Sequence, residues 1–275
     1  MTRKAAVIPL LLLAACSKAP DQAEPAAQAS SGAVAAVTAA PDSAAATAAA
    51  APGAVKIDED GKLFHFAFAY PAAAAGIPAL KAELDGEKDK ARSALVEAAK
   101  QGRTDAQGGG YDFNPYDRSI EWSVVTDLPG WLSLKAESYA FTGGAHGNSG
   151  SYALVWDKVA GRRREPLSLF VSKAAFDAAF GQPYCAALNA ERSKRRERKV
   201  DPASGAEFDK CLAPSEVTVL LGSGDRAHFT RIGLIGDPYM AGSYAEGSYE
   251  VTLPVTPALI RAVKPEYRSL FAPGR

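Results

Sequence analysis

The 275-residue chain has little of what catalytic and metal motifs are made from, with only three histidines, three cysteines and two methionines. His65, His146 and His228 are scattered among unlike segments, a spacing that gives no support to a zinc site. No CxxC pair occurs. The phosphate loop GxxxxGK[ST] and the dinucleotide fingerprint GxGxxG are missing too, so those two routes to nucleotide binding are excluded. The nearest approach to a hydrolase elbow, Gly147-Asn148-Ser149-Gly150-Ser151, fails at Ser151, where a second glycine belongs. No pair of carboxylates is singled out for sugar hydrolysis. Lysine plus arginine (31) balances aspartate plus glutamate (31), so there is no global field to attract nucleic acid. These absences predict no metal, no cofactor and no nucleic-acid partner.

What is present first is an address. Arg3 and Lys4 precede the apolar run Ala5 to Leu13, which is shorter than the roughly 20 residues of a membrane-spanning helix and has the layout of a secretory signal. Leu13-Ala14-Ala15-Cys16 resembles the lipobox of bacterial lipoproteins, which implies cleavage after residue 15 and acylation of Cys16. Ser17 in place of aspartate favours the outer membrane, with the chain facing the periplasm. Residues 16–54 are rich in Ala, Pro and Ser and nearly free of large apolar side chains, a composition expected of a disordered tether. The two remaining cysteines, Cys185 and Cys211, are expected to pair in an oxidising compartment; two free buried thiols are the alternative.

The rest patterns as α+β. Phe64, Phe66, Phe68 and Tyr70 alternate along a strand from Lys62. A helix starts at Pro78, with Leu80, Leu84, Ala91, Leu95 and Ala98 as its apolar stripe, and is expected to end at Gly102 and the Gly108–Gly110 run. Three strands containing Ile120–Val124, Leu132–Ala136 and Tyr152–Trp156 predict an antiparallel meander with one buried face, turning at Pro129-Gly130. Phe176, Phe180 and Tyr184 recur at helical spacing, and Pro183 is expected to break that helix or start a second. Late strands are expected at Val217–Leu221, Arg226–Ile232 and Tyr249–Leu253, before a short helix from Thr256 to Val263. His65 and His228 would thus lie in strands. The expected division is 55–150 and 151–275, two halves of antiparallel sheet packed with helices.

Two segments depart from this patterning. Thr142-Gly143-Gly144-Ala145-His146-Gly147-Asn148 concentrates glycine around a lone histidine and reads either as a wide hairpin loop or as a contact loop presenting His146 and Asn148. Asp237 to Gly247 holds Tyr239 and Tyr244 among glycines. The run Glu191 to Lys199 is the one charge anomaly; it suits a solvated helix end better than a surface for lipopolysaccharide or wall polymers.

Tyr139-Ala140-Phe141-Thr142-Gly143-Gly144-Ala145-His146-Gly147, followed by Leu167-Ser168-Leu169-Phe170 and by Pro238-Tyr239-Met240-Ala241-Gly242, resembles the extracytoplasmic domain of RsiV-type anti-sigma factors. The same module accompanies PdaC-type peptidoglycan deacetylases, outside their catalytic domain. The resemblance covers about residues 56–271 and implies binding: in RsiV-type proteins this domain is a receptor for lysozyme. No sigma-binding segment or separate deacetylase domain is recognised here, so neither activity is carried over. The expectation is a non-catalytic envelope lipoprotein that binds a lysozyme-like muramidase, peptidoglycan or another envelope protein, through Thr142, Gly143, Gly144, His146, Asn148, Tyr239 and Tyr244. The alternatives are a wall hydrolase or amidase with a spatially assembled site, and a scaffold of an envelope complex. A receptor for a basic lysozyme needs acidic surface, for which Asp225, Asp237, Glu246 and Glu250 are the sequence candidates.

Overall fold

The structure, a computed structural model, describes residues 53–275. The signal segment, Cys16 and most of the tether lie outside the described residues. No described helix is long and apolar enough to cross a membrane.

The first layer is a six-stranded sheet in chain order, β1 (Val55–Asp60), β2 (Phe64–Tyr70), β3 (Tyr116–Leu128), β4 (Trp131–Phe141), β5 (Asn148–Asp157) and β6 (Arg162–Arg164). All neighbours are antiparallel except β2 and β3, which run parallel. Parallel neighbours need a long crossover. Here it is supplied by the turn α1 (Ala72–Ala75) and the helix α2 (Pro78–Gly109). Leu80, Leu84 and Leu95 of α2 are buried against Phe66, Phe68 and Tyr70 of β2 and Leu132, Leu134, Leu154 and Trp156 of the meander. Each such fully buried side chain contributes about 1.5–3 kcal/mol relative to exposure.

The helix passes through Gly102 and stops at Gly110, which takes the left-handed conformation (φ 70°) that glycine adopts without strain. Gly102 has a different use: a Cβ there would lie 2.2 Å from the Tyr116 hydroxyl oxygen. Its missing side chain lets Tyr116 lie on the helix.

The meander is buried on both faces at one end, not on one. Leu132 and Leu134 face α2, while Leu128, Trp131 and Val155 belong to a second core. The register shifts between Val124 and Thr126, so Trp122 belongs to the first core while Thr126 and Leu128 turn to the opposite face, where Leu128 joins the second. The second core is completed by a three-stranded antiparallel sheet, β7 (Thr218–Gly222), β8 (Arg231–Gly236) and β9 (Tyr249–Pro254). The helices α3 (Lys173–Arg195) and α4 (Pro257–Ala262) contribute Phe176, Phe180, Tyr184, Leu188 and Leu259 to it. The division expected at 150/151 falls inside β5, and the first sheet runs on to Arg164.

Three expectations are corrected. Pro183 lies inside an unbroken α3; Phe180, Tyr184 and Leu188 are buried on both sides of it, so packing outweighs the helix penalty of proline. The strand expected at Arg226–Ile232 begins at Arg231, because Asp225 accepts from the amides of Ala227 and His228 and closes a turn. His228 therefore lies in that turn, not in a strand. The charge run is a solvated helix end only in part: Lys194, Arg195, Glu197, Arg198 and Lys199 are exposed, but Arg192 is fully buried and Arg196 nearly so. Cys185 and Cys211 form a disulfide.

Candidate functional site

The hairpin β4–β5 and the segment after β8 converge at one place. Residues 142–147 connect the two strands, and Gly143 and Gly144 supply the positive φ values (92° and 95°) that this connection needs. At its end the His146 ring stacks on Tyr244, with ring centres 4.0 Å apart and planes 23° from parallel. Tyr239 completes the cluster, its ring centre 5.6 Å from that of Tyr244 and 6.4 Å from that of His146.

Polar contacts fix the arrangement. The Gly147 carbonyl accepts from the Tyr244 hydroxyl at 2.9 Å and lies 2.9 Å from His146 Nδ1. With the proton on Nδ1, Nε2 is left to accept from the Tyr239 hydroxyl at 3.4 Å. Both ring nitrogens thus have partners other than Ser149, which pairs with Tyr139 in the β4–β5 ladder. Gly147 is buried against the Tyr139 ring so closely that a Cβ would lie 2.3 Å from it.

The segment Asp237–Gly247 is held on the open edge of β5. Asp237 Oδ2 accepts from the Ser151 amide at 3.0 Å, and the Thr218 hydroxyl donates to the Ser151 carbonyl at 2.9 Å. A carboxylate and a hydroxyl stand where a neighbouring strand would be, which covers an otherwise unpaired edge. Tyr239 is 54% exposed and adopts φ 70°, a region costly for a residue with a Cβ. Thr142, Gly143, Gly144 and Asn148 are exposed beside the cluster. The sequence-predicted residues therefore come together, with His146, Tyr239 and Tyr244 in mutual contact and the other four on the connecting loop and the first position of β5.

The acidic residues anticipated from sequence do not form one face. Asp225 is occupied by its own turn, Asp237 by Ser151 and Glu246 by Arg196 and Tyr249; Glu250 alone reaches towards the sheet, 4.0 Å from Lys135. A different acidic face exists. On the side of the first sheet opposite α2, the strand register aligns Asp58, Ala67, Ser119 and Tyr139 in one row, and Lys56, Ala69, Glu121 and Glu137 in the next. Asp60, His65 and Asp117 form a third row. Asp58, Asp60, Glu121 and Glu137 are exposed, Glu137 paired with Lys135 at 2.8 Å, and the row of Tyr139 connects this face to Gly147 and the aromatic cluster. His65 lies between Asp58 (3.0 Å) and Asp117 (3.1 Å). Burial works against its charged form, but the two carboxylates outweigh it and raise the pKa. No sequence window could show this face, because it is assembled from four strands.

Among the described residues, no three His, Cys, Asp or Glu side chains converge so as to hold a metal ion. An open concavity of about 440 Å³ near Asp225, Arg231 and Arg275 involves none of the cluster residues.

Residues 57–149 match the family model described as "Deacetylase PdaC". The fold is similar to two solved structures. One is a DUF3298 family member from Bacteroides fragilis, 17% identical with a TM-score of 0.48, covering 73% of this chain and 88% of that one. The other is a DUF3298 family protein from Pseudomonas aeruginosa, 18% identical with a TM-score of 0.48, covering 81% and 97%. No curated protein matches.

Proposed function

We propose that this chain is a non-catalytic recognition module of the bacterial envelope, lipid-anchored at Cys16, which docks a basic wall-degrading protein of the lysozyme type. The observation that carries this reading is the His146–Tyr239–Tyr244 cluster, built from segments 93 residues apart in sequence and opening onto an acidic sheet face. Tyrosine supplies large contact area at a low cost in ordering, which is why it is frequent at hot spots. Strained backbone such as that of Tyr239 gathers at sites of function. The neighbouring carboxylates complement a cationic surface and would steer its approach. The RsiV-type resemblance of the same residues points to the same partner class. Peptidoglycan and other envelope proteins are the alternative ligands of the same cluster.

A second reading is hydrolysis or deacetylation of wall glycan, which the description of the matching family as a deacetylase favours. One experiment separates them. The purified chain is immobilised and offered egg-white lysozyme and, separately, washed peptidoglycan, with released acetate and muropeptides measured. Lysozyme should be retained at low salt and lost as ionic strength rises. The double reversal Glu121→Lys/Glu137→Lys should weaken retention by about tenfold. His146→Ala and Tyr239→Ala should weaken it by a similar factor, with the melting temperature nearly unchanged. Failure to retain lysozyme at moderate salt overturns the protein-partner reading, and enzymatic release of acetate or muropeptides establishes the second.

A further inference from the structure

The contact segment 237–247 is held from behind by one charged side of α3. Arg192 is fully buried, yet it forms no ion pair among the described residues. Its Nε donates to the Ala241 carbonyl at 2.8 Å, and Nη1 donates to Asn189 Oδ1 at 2.9 Å and to the Lys210 carbonyl at 2.8 Å. Burial is the main influence lowering its pKa, with Arg196 beside it adding to the effect. Arginine nonetheless stays charged in proteins, so these carbonyls carry the burden of its desolvation.

Arg196 makes the same connection one helical turn on. It donates to Glu246 Oε2 (2.7 Å) and to the Ala241 carbonyl (3.1 Å) on one side, and to Asp209 Oδ1 (2.8 Å) and the Phe208 carbonyl (3.2 Å) on the other. Arg195 adds the carbonyls of Glu246 and Ser248, and Arg198 adds Asp209. The arginines therefore join two stretches that do not otherwise belong together. One is Ala241–Ser248, which includes Tyr244 and follows Tyr239. The other is Phe208–Lys210, which ends against Cys211 and is fastened to α3 by the Cys185–Cys211 disulfide.

We infer that Arg192 and Arg196 are positioning residues for the Tyr239–Tyr244 surface, and that the Cys185–Cys211 disulfide sets their geometry, so the surface is competent only when the disulfide is formed. The partner-binding half of this inference rests on the proposed function; the positioning half does not. A dithiol reduces the bond by two thiolate exchanges. One of its sulfurs attacks a cystine sulfur and releases the other cysteine, leaving a mixed disulfide; its second sulfur then attacks the first and releases the remaining cysteine, leaving two protein thiols and a cyclic oxidised dithiol. Residues 196–211 then lose their fixed end beside Lys210. Without Lys210 and Asp209 held in place, Arg192 remains buried without the Lys210 carbonyl and Arg196 loses Asp209. Moving it outward draws the Ala241 carbonyl with it and separates Tyr239 and Tyr244 from His146. The strands β7 and β8 keep their own ladder and share the buried core of Phe176, Phe180, Tyr184 and Leu188, none of which contacts the arginines through a hydrogen bond.

The test uses the full chain, oxidised and after treatment with dithiothreitol, alongside Cys185→Ser/Cys211→Ser. Amide hydrogen exchange in residues 237–248 should accelerate by roughly tenfold or more on reduction, while β7 and β8 stay protected. Lysozyme retention should fall in parallel. Unchanged exchange in 237–248 overturns the inference. Should the cysteine variant fail to fold, Arg196→Met in the oxidised chain keeps it testable: the same local acceleration is expected with the disulfide intact, Arg196→Lys should restore part of the protection, and an Arg196→Met profile identical to wild type sinks the idea. Local acceleration in a chain that never retained lysozyme supports the positioning role and refutes the proposed partner instead.

Discussion

Lowering the pH should loosen the contact segment through a single carboxylate. Glu246 accepts from the Ser243 amide and hydroxyl, Arg196 and the Tyr249 hydroxyl. Burial alone would raise its pKa, but these donors outweigh burial and bring it from 4.5 down to about 2. A folded-state value below the unfolded one means that the stabilisation is complete above pH 4.5 and is lost as pH falls towards 2. The shift spans about 2.5 pH decades at about 1.4 kcal/mol each, a ceiling near 3.5 kcal/mol. Solvent reaches the carboxylate, which is 23% exposed, so roughly 2 kcal/mol is the figure to expect. Glu246→Gln keeps the shape and one acceptor but removes the charge. Unfolding free energies of the two proteins from urea titration should differ by about 2 kcal/mol at pH 7 and converge near pH 2. Asp85, also held at about 2 by Lys81, titrates in both and cancels from the difference. A gap between the two proteins that stays constant from pH 7 to pH 2 would refute the reasoning.

Two further substitutions probe the frame around the site. Gly147→Ala should displace the Tyr139 ring, lower stability by about 1–3 kcal/mol and weaken lysozyme retention; a crystal structure with the ring unmoved would contradict this. Pro183→Ala restores an amide inside α3 and should stabilise by about 1–2 kcal/mol, since part of the nominal proline penalty of about 3 kcal/mol is offset by lost ring contacts. A fall in melting temperature would show that the proline ring is needed where it packs.

Much of the architecture was legible because its signals are local. Phe66, Phe68 and Tyr70 alternate as a strand must, and Leu80, Leu84 and Leu95 recur as a helix must. The glycine-rich loop around His146 and the tyrosine-bearing segment 237–247 stood out against this patterning, and the structure joins them at His146. What stayed hidden depends on partners distant in sequence. Arg192 reads as solvent-facing in any short window, because the acceptors that bury it come from Lys210 and Ala241. Pro183 reads as a break until the core on both sides of it is known. The acidic face was sought among Asp225, Asp237, Glu246 and Glu250, but these belong to separate local networks. The aligned carboxylates instead come from β1, β3 and β4, and the parallel β2–β3 pairing that sets their register leaves no mark in either strand alone.

Because β4 is shared between two interiors, the polypeptide cannot be cut where sequence similarity stops. A fragment ending at residue 149 would keep Trp131 and Ser133 but lose the strands and helix that cover them. It would also lose Leu154 and Trp156 of β5, which pack beside Leu132 and Leu134 on the other face of β4. Such a piece should aggregate, whereas expression from residue 53 to the last residue should give a monodisperse protein that unfolds in one cooperative step.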